Sequence, residues 1–320
     1  MTSLTTAPAE TLIDSSTKFQ PERQINQIFR WLTIALAVCV GLVLLWITYS
    51  LLLIALPAIR TFGLGFLTNS TWNPVEEIYG VFPQIYGTIL SSFLALLFAV
   101  PLGVGVAVFL TENFLPPKIL TPIAFIMELL AAIPSVVYGL WGIFVFLPAI
   151  RPILQGINRA FGWIPFFSTT PGGRHLFGAS LVLAIMILPT IVAISRDTMS
   201  SLPPQLRQGS YGLGATRWET ITRVLVPAGL SGIIGSVMLA LGRALGETMA
   251  LAMLVGNANN ANISWFSPAS TIASLIANQF GEASGLQKSS LFYGALILMV
   301  LTLLVNILAQ MVVSRFQQVE

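Results

Sequence analysis

The run IYGTILSSFLALLFAVPLGVGVAVFL, residues 85–110, decides the fold class because it holds no charged residue over its whole length. A helix needs about 20 consecutive apolar residues to cross the hydrocarbon core of a membrane. The chain as a whole is also apolar: 55% of its 320 residues are hydrophobic and 8% are charged, whereas soluble domains carry about 25% charged residues. The sequence therefore predicts an all-α polytopic membrane protein.

Six stretches are long enough to be transmembrane helices, and they run approximately over Trp31–Ile59, Ile85–Leu110, Ile119–Phe146, Leu176–Ser195, Ala228–Gly256 and Ser289–Val313. Residues 1–28 are predicted to be a disordered, polar cytoplasmic tail, and residues 29–320 the transmembrane domain. Six spans place both termini on one side of the membrane. Lys and Arg residues are more frequent on that side, so the positive-inside rule predicts that both termini face the cytoplasm.

The segments on the opposite side differ in composition. Asn69–Pro83 and Pro148–Phe177 are rich in Trp, Phe, Pro and Gly, which is typical of short elements and turns at a membrane surface. We expect them either to dock a partner protein or simply to anchor the chain at the lipid interface. His175, the only histidine, lies there without a second candidate metal ligand at motif spacing. We therefore expect it to be exposed and without function.

Small residues and prolines inside the spans predict how the helices pack. Gly232, Gly235, Ser236 and the pair Gly242 and Gly246 are expected to allow close helix contacts in lipid. Four prolines are expected to kink or locally unwind their spans, namely Pro101, Pro122, Pro134 and Pro189.

The segment ALGRALGETMALAML, residues 240–254, places Arg243 and Glu247 one helical turn apart inside an apolar span. A charge at bilayer depth is costly, so it usually faces a protein interior or a watery path. We expect both side chains, together with Glu128 of the third span, to line the path of a substrate. Two structural alternatives remain: Arg243 and Glu247 form an internal ion pair that holds helices in register, or Glu128 pairs with Arg243.

The arginine-rich segment RDTMSSLPPQLRQGSYGLGATRWETITRVLVP, residues 196–227, cannot be a span and should lie at the cytoplasmic surface. Pro203 and Pro204 suit the start of a helix. Gly214 suits a left-handed residue that ends this helix. The segment is therefore too patterned to be a simple spacer.

A second helix is predicted directly after this turn. Thr216 followed three residues later by Glu219 forms a capping-box pattern. Trp218 then lies near the start of the helix, where a rigid aromatic side chain can insert into a groove of another protein. The alternative is an amphipathic surface helix with Trp218 among the lipid headgroups.

The same segment resembles the cytoplasmic loop of ABC importer permeases, whose pattern is Glu-Ala-Ala, three residues, Gly, nine residues, Ile-x-Leu-Pro. The corresponding positions here are Gln208, Gly209 and Ser210, then Gly214, then Val224, Val226 and Pro227. The glycine and proline match, whereas the Glu-Ala-Ala part departs completely. A neutral Gln208 cannot make the ionic contacts of a carboxylate. The resemblance implies an ABC importer permease-like fold in which residues 197–227 couple the permease to an ATPase.

Four further segments resemble phosphate ABC transporter permeases of the PstC type, in the same order along the chain: IYGVFPQIYGTILSSFLALLFAVPLGVGVAVFLTE, MELLAAIPSVVYGLWGIFVF, AIMILPTIVAISRD and LGRALGETMA. The resemblance implies phosphate import across a bacterial cytoplasmic membrane. It also implies three kinds of protein partner: a second, homologous permease (PstA type), an ATP-binding subunit dimer (PstB type) and a periplasmic phosphate-binding protein (PstS type).

The absence of other motifs is consistent with a transport subunit. The sequence has no Gly-x-x-x-x-Gly-Lys-Ser/Thr phosphate loop, so ATP and Mg²⁺ should be used by a partner and no cofactor is expected on this chain. The net charge of +3 comes from scattered residues, which gives no nucleic-acid footprint and leaves membrane lipid as the surrounding partner. The alternatives are a permease for another oxyanion and a proton-coupled secondary anion transporter. The latter would not need residues 203–227.

Overall fold

The computed structural model describes residues 20–112, 114 and 116–317, and these residues are mostly helical. The predicted all-α fold is confirmed. The helices are α1 (Gln20–Phe62), α2 (Gly65–Thr68), α3 (Phe82–Thr111), α4 (Pro117–Ala132), α5 (Ser135–Trp141), α6 (Leu147–Phe161), α7 (Leu176–Ser201), α8 (Pro204–Gly212), α9 (Arg217–Thr220), α10 (Val226–Ala228), α11 (Leu230–Gly246), α12 (Met249–Leu254), α13 (Ile272–Gln279) and α14 (Gly285–Gln317). Short π-helical turns at Gly142–Phe146 and Ile221–Leu225 join neighbouring helices.

Five segments in the described residues are long and apolar enough to cross a membrane: Asn26–Phe62, Phe82–Thr111, Ser135–Phe161, Leu176–Ser201 and Gly285–Met311. A sixth candidate is bent, because Arg217–Ala228 and Leu230–Gly246 meet at 68°. Counted as one span, this pair brings the number to the predicted six. By contacts the chain divides into two compact units, residues 1–53 and 54–320.

The first unit consists of the N-terminal part of α1, whose described side chains are largely exposed. The helix begins at Gln20, so residues 20–28 of the predicted tail are helical. The remainder of that tail, residues 1–19, lies outside the described residues.

The third predicted span, residues 119–146, is wrong in its boundaries. The chain leaves the helical conformation at Ile133, with φ −70° and ψ 127°, directly before Pro134. A proline disfavours the α conformation of the residue before it, which explains the break. The membrane-length segment therefore starts at Ser135 and continues through α6. By contrast, α3, α4 and α7 continue through their internal prolines.

Helices α3 and α7 form the centre of the second unit, and α11 packs against both. A Cβ atom at Gly232 of α11 would collide with the side chain of Thr198 in α7. One turn further along α11, the buried Ser236 is hydrogen-bonded to Ser195 of α7, with the two Oγ atoms 3.0 Å apart. The predicted close packing at Gly232 and Ser236 is therefore confirmed.

The second predicted packing pair behaves differently. A Cβ atom at Gly242 or Gly246 would meet no described atom within 4 Å, and the same holds for Gly235 of the same helix. The face of α11 that carries these glycines is therefore open within the described chain, whereas Ala244 and Leu245 of the same turns are buried.

The two ends of the second unit are distinct. We call "loop end" the end at which α3 and α7 finish, at Thr111 and Ser201, and at which residues 202–227 lie. The opposite "far end" carries a small antiparallel hairpin of β1 (Trp72–Asn73) and β2 (Ile78–Tyr79). Aromatic side chains pack beneath this hairpin, with Phe66 stacked on Tyr293 at a centroid distance of 4.6 Å.

His175 at the far end is buried, so the expectation of an exposed histidine is wrong. Only 2% of it is accessible, because it lies directly before α7 and packs edge-on against Phe266. Its Nδ1 lies 3.0 Å from the carbonyl oxygen of Gly173. Burial lowers the pKa of His175, and the Gly173 hydrogen bond opposes part of that shift.

Candidate functional site

The loop segment forms the predicted pair of helices with a sharp turn between them. Helix α8 starts at Pro204 and Gly214 has a φ of +84°. The capping box is present: the Thr216 Oγ1 accepts from the Glu219 backbone N–H at 3.3 Å, and the Thr216 N–H donates to Glu219 Oε2 at 2.9 Å. Local sequence signals therefore predicted this segment correctly.

The residues at the Glu-Ala-Ala positions lie in α8. Gln208 and Gly209 are exposed, whereas the Ser210 Oγ lies 2.9 Å from Thr220 Oγ1 and ties α8 to α9. Pro227 lies in α10, just before the 68° bend. Gln208 is thus free to face a partner, but it brings no charge.

An ion pair next to Gln208 joins the loop to the end of α3. Glu112, which directly follows α3, is 5% exposed. Arg207 donates to its Oε1 from Nε at 3.1 Å and from Nη2 at 2.8 Å. A buried carboxylate without a partner is costly, so the pair holds α8 against the end of α3.

A second arginine makes the same connection through the backbone. Arg217 donates to the carbonyl oxygen of Glu112, and its guanidinium lies 4.6 Å from the centre of the Phe114 ring. We call Glu112, Arg207 and Arg217 the "Glu112 clasp". Sequence reasoning missed Glu112, although an acidic residue that directly follows an uncharged apolar run was an available signal.

Trp218 is 67% exposed at the start of α9. It borders a shallow apolar groove between α9 and the last turns of α3, which Phe114, Val108 and Ile221 also line. The exposed ring is compatible with both predicted roles, insertion into a partner and contact with lipid headgroups.

Arg243 and Glu247 do not share one helix face, so that part of the prediction is wrong. Helix α11 ends at Gly246, and Glu247 follows in an extended conformation. Two features explain the break. Glycine is a poor helix former, and the Thr248 hydroxyl bonds the Gly246 carbonyl at 3.0 Å in place of a helical partner.

The two side chains therefore have different surroundings. Arg243 is exposed on α11 and its Nη1 lies 3.5 Å from the hydroxyl of Thr190 in the middle of α7. Glu247 is 9% exposed, and its Oε1 accepts from the backbone N–H of Ala250 at 3.4 Å, at the start of α12. Within the described residues no ion pair joins Arg243 to Glu247 or to Glu128. Both ion-pair alternatives are therefore absent.

Glu128 shares a cavity with Arg196 rather than with Arg243. It lines a cavity of about 420 Å³ between α4, α7 and the end of α3, and Arg196 lines the same cavity.

In the part of the chain that the structure describes, no group of three or more His, Cys, Asp or Glu side chains could hold a metal ion.

Comparison with known proteins identifies the family of the chain. Residues 99–318 match the family described as binding-protein-dependent transport system inner membrane component. The chain is 45% identical over 312 residues to the phosphate transport system permease protein PstC of Haemophilus influenzae, covering 96% of this chain and 99% of that protein. The corresponding protein of Pasteurella multocida is 44% identical over 92% of this chain and 94% of its own length.

Solved structures share the fold at much lower identity. A chain of an alginate ABC transporter in complex with a periplasmic protein has a TM-score of 0.58 and 19% identity, over 89% of this chain and 94% of that one. A chain of the MetNI methionine ABC transporter in an inward-facing conformation has a TM-score of 0.55 and 17% identity, over 77% and 99%. The family match and the high identity over nearly the full length show that the chain belongs to the binding-protein-dependent transport system inner membrane components and, among them, to the PstC permeases.

Proposed function

We propose that this chain is the membrane-spanning permease subunit of an ATP-driven importer and forms part of the path for inorganic phosphate. The observation that carries the proposal is the 45% identity, over 96% of the chain, to a phosphate transport permease. The position of Arg243 supports it, because an exposed arginine within a candidate membrane span suits an anion path.

Arg243 has the chemistry that such a path needs. Its guanidinium is permanently charged and offers several donors in one plane, which suits the oxygens of a tetrahedral anion. The 3.5 Å contact with Thr190 aims the side chain at α7 without neutralising it. Arg243 therefore stabilises the anion transiently during passage. The buried Glu247 acts indirectly, since its hydrogen bond to Ala250 fixes the chain where α11 is interrupted.

The loop end faces the cytoplasm in this proposal, and residues 197–227 transmit ATPase movements to the spans. The ATPase is a dimer of PstB type, which uses ATP and Mg²⁺, so this chain itself catalyses no reaction. The Glu112 clasp supports this role, because it connects both helices of the loop to the end of α3. The permease lies in the cytoplasmic membrane of a bacterium. A periplasmic binding protein of PstS type delivers phosphate to its far end.

A second permease completes the assembly. One chain provides one loop, whereas an ATPase dimer offers two docking grooves, so a PstA-type homologue supplies the other loop. The open face of α11 around Gly242 and Gly246 is available for such a partner. The mass of the purified complex measures the ratio of the two permeases. A homodimer of this chain that transports would contradict the heterodimer.

Reconstitution tests the function as a whole. The complex should be placed in liposomes with ATP inside and the binding protein and labelled phosphate outside. We expect uptake to require both ATP and the binding protein, and to be inhibited by excess unlabelled phosphate. Transport of another oxyanion in preference to phosphate would show that this oxyanion is the substrate instead. Transport by the purified chain alone, driven by a proton gradient without ATP, would identify a secondary transporter instead.

A further inference from the structure

Two opposite charges line one cavity near the loop end. Glu128 projects from α4 and Arg196 from the last turns of α7, and both border the 420 Å³ cavity, whose other lining residues include Leu110, Leu120 and Phe125. A smaller neighbouring cavity of about 210 Å³ also has Glu128 and Arg196 in its wall. The two side chains therefore stand where the cavities adjoin, and the carboxylate of Asp197 also lines the smaller cavity.

These charges are not in contact with each other. Among residues 20–112, 114 and 116–317, the one ion pair within 4.0 Å is that of Arg207 with Glu112. Arg196 and Glu128 belong to α7 and α4, two helices that pack against each other. The arrangement provides a donor group and an acceptor group on the wall of one space.

The pair selects the chemistry of a ligand. A guanidinium binds the oxygens of a tetrahedral oxyanion, whereas an ionised carboxylate only accepts hydrogen bonds. An oxyanion that still carries a proton, as phosphate does near neutral pH, satisfies both groups at once. Sulfate has no proton to donate and would be repelled by Glu128.

The position of the pair relates it to Arg243. Thr190, which Arg243 contacts, precedes Arg196 by six residues in α7. At a rise of about 1.5 Å per residue, Arg196 is about 9 Å closer to the loop end along the axis of α7. The larger cavity has one positive and one negative side chain, and the smaller cavity adds the carboxylate of Asp197. Carboxylates beside the arginine weaken the binding of an anion, as release requires.

We propose that Arg196 and Glu128 form a second, weak site for a protonated tetrahedral oxyanion, from which the substrate leaves the permease on the loop side. This site rests on the proposed function, and it names the residues through which phosphate leaves and the anions that they select. Arg196 binds the anion, and Glu128 accepts the hydrogen bond of its remaining hydroxyl.

The first test is phosphate uptake by the complete transporter in liposomes. Arg196→Gln removes charge-assisted hydrogen bonds worth about 1.5–3 kcal/mol, so we expect uptake to fall about 10- to 100-fold. Arg196→Lys should restore part of the rate. Arg60→Gln is the matched control, because Arg60 is exposed on α1 and outside both cavities, and it should transport like the wild type. Wild-type rates for Arg196→Gln in an assembled complex would overturn the exit site.

The second test addresses selectivity at the loop side. Sulfate enclosed in the liposomes should leave wild-type uptake unchanged, because Glu128 repels it. Glu128→Gln removes that repulsion and adds an N–H donor, so enclosed sulfate should now inhibit uptake at least several-fold. Equal insensitivity of both proteins to sulfate would contradict the role of Glu128. If the wild type fails to import phosphate at all, the proposed function fails instead.

A third measurement needs no change to the charged pair. Ala124 lines both cavities, so Ala124→Cys, in a chain with Cys39→Ser, places a thiol beside the site. Phosphate should slow the labelling of this thiol by a small charged reagent, whereas sulfate should not. Identical labelling rates with and without phosphate would overturn the proposal even where Arg196→Gln does not assemble.

Discussion

Arg207 donates two hydrogen bonds to a single carboxylate oxygen of Glu112, at 3.1 and 2.8 Å, and thereby joins α8 to the end of α3 across 95 positions of sequence. Only 4% of the Glu112 side chain is exposed, against 22% for Arg207. The same arginine also donates to the carbonyl oxygen of Met199 at 3.1 Å, close to the end of α7. Helix α8 is therefore hydrogen-bonded to the ends of two spans.

Replacing Glu112 should weaken both the stability and the coupling of the permease. Loss of one partner of a buried pair costs about 3–5 kcal/mol, and the exposure of Arg207 places the cost at the lower end. We expect Glu112→Gln to lower the unfolding temperature and the phosphate imported per ATP hydrolysed. The double variant Glu112→Gln, Arg207→Gln should lose less than the sum of the single changes. Additive losses would show that the two side chains act independently.

Gly214→Val should disturb the turn between α8 and α9. The φ of +84° is unfavourable for residues with a Cβ atom, by roughly 1–2 kcal/mol, and more for a β-branched one. We expect weaker binding of the ATPase and slower uptake, measured on the reconstituted complex. Gly212→Ala is the control, because Gly212 lies in α8 with open space around it. If both variants transport equally well, the turn geometry is not needed for coupling.

Trp218→Ala distinguishes docking from lipid contact. The side chain is 67% exposed, so its removal should change the stability of the chain by no more than about 0.5 kcal/mol. A docking anchor contributes about 2 kcal/mol or more, which corresponds to roughly 30-fold weaker ATPase binding. Trp163→Ala, an 82% exposed tryptophan at the far end, is the control. Unchanged ATPase affinity for Trp218→Ala would favour the headgroup position.

Substitutions of Arg243 should affect transport more than assembly. Arg243 is exposed and has one long contact, to Thr190, so Arg243→Gln should leave the complex intact. Loss of the charge should reduce uptake by about 100-fold, while Arg243→Lys recovers part of it. Glu247→Gln should change the rate less, because the amide oxygen still accepts from Ala250. Normal uptake by an assembled Arg243→Gln complex would remove this residue from the path.

The burial of His175 predicts a pH dependence of stability. The lowered pKa means that the folded state keeps the imidazole neutral at a pH where the unfolded chain, with its pKa near 6.5, takes up a proton. This contribution to stability is fully present above pH 6.5 and declines as the pH falls below it. Thermal unfolding from about pH 7.5 to about pH 5.5 should show the decline, and His175→Gln should reduce it. An equal decline of stability in the variant would show that titratable groups other than His175 cause it.

The sequence by itself determined the features that depend on neighbouring residues. Uncharged runs indicate the spans because a charge is costly in lipid. The spans are helical because lipid offers no hydrogen-bond partner to backbone groups. The capping box of Thr216 and Glu219 and the left-handed Gly214 act within a few residues and were predicted correctly. The break before Pro134 was equally local, but a continuous apolar run concealed it.

Only the tertiary structure decided which charges meet. Glu112 lies 95 positions from Arg207, and Glu128 shares its cavity with Arg196 rather than pairing with Arg243. Apolar helices in lipid give little periodic signal for the face that packs inward, because lipid and protein neighbours are similarly apolar. The prediction that Arg243 and Glu247 lie on one helix was also wrong, because α11 ends between them. The Thr248 hydroxyl donates to the Gly246 carbonyl at the end of α11, and the Glu247 carboxylate accepts from the Ala250 N–H at the start of α12. The meeting of distant side chains is set by how α3, α4, α7 and α11 pack together, and no short stretch of sequence contains that arrangement.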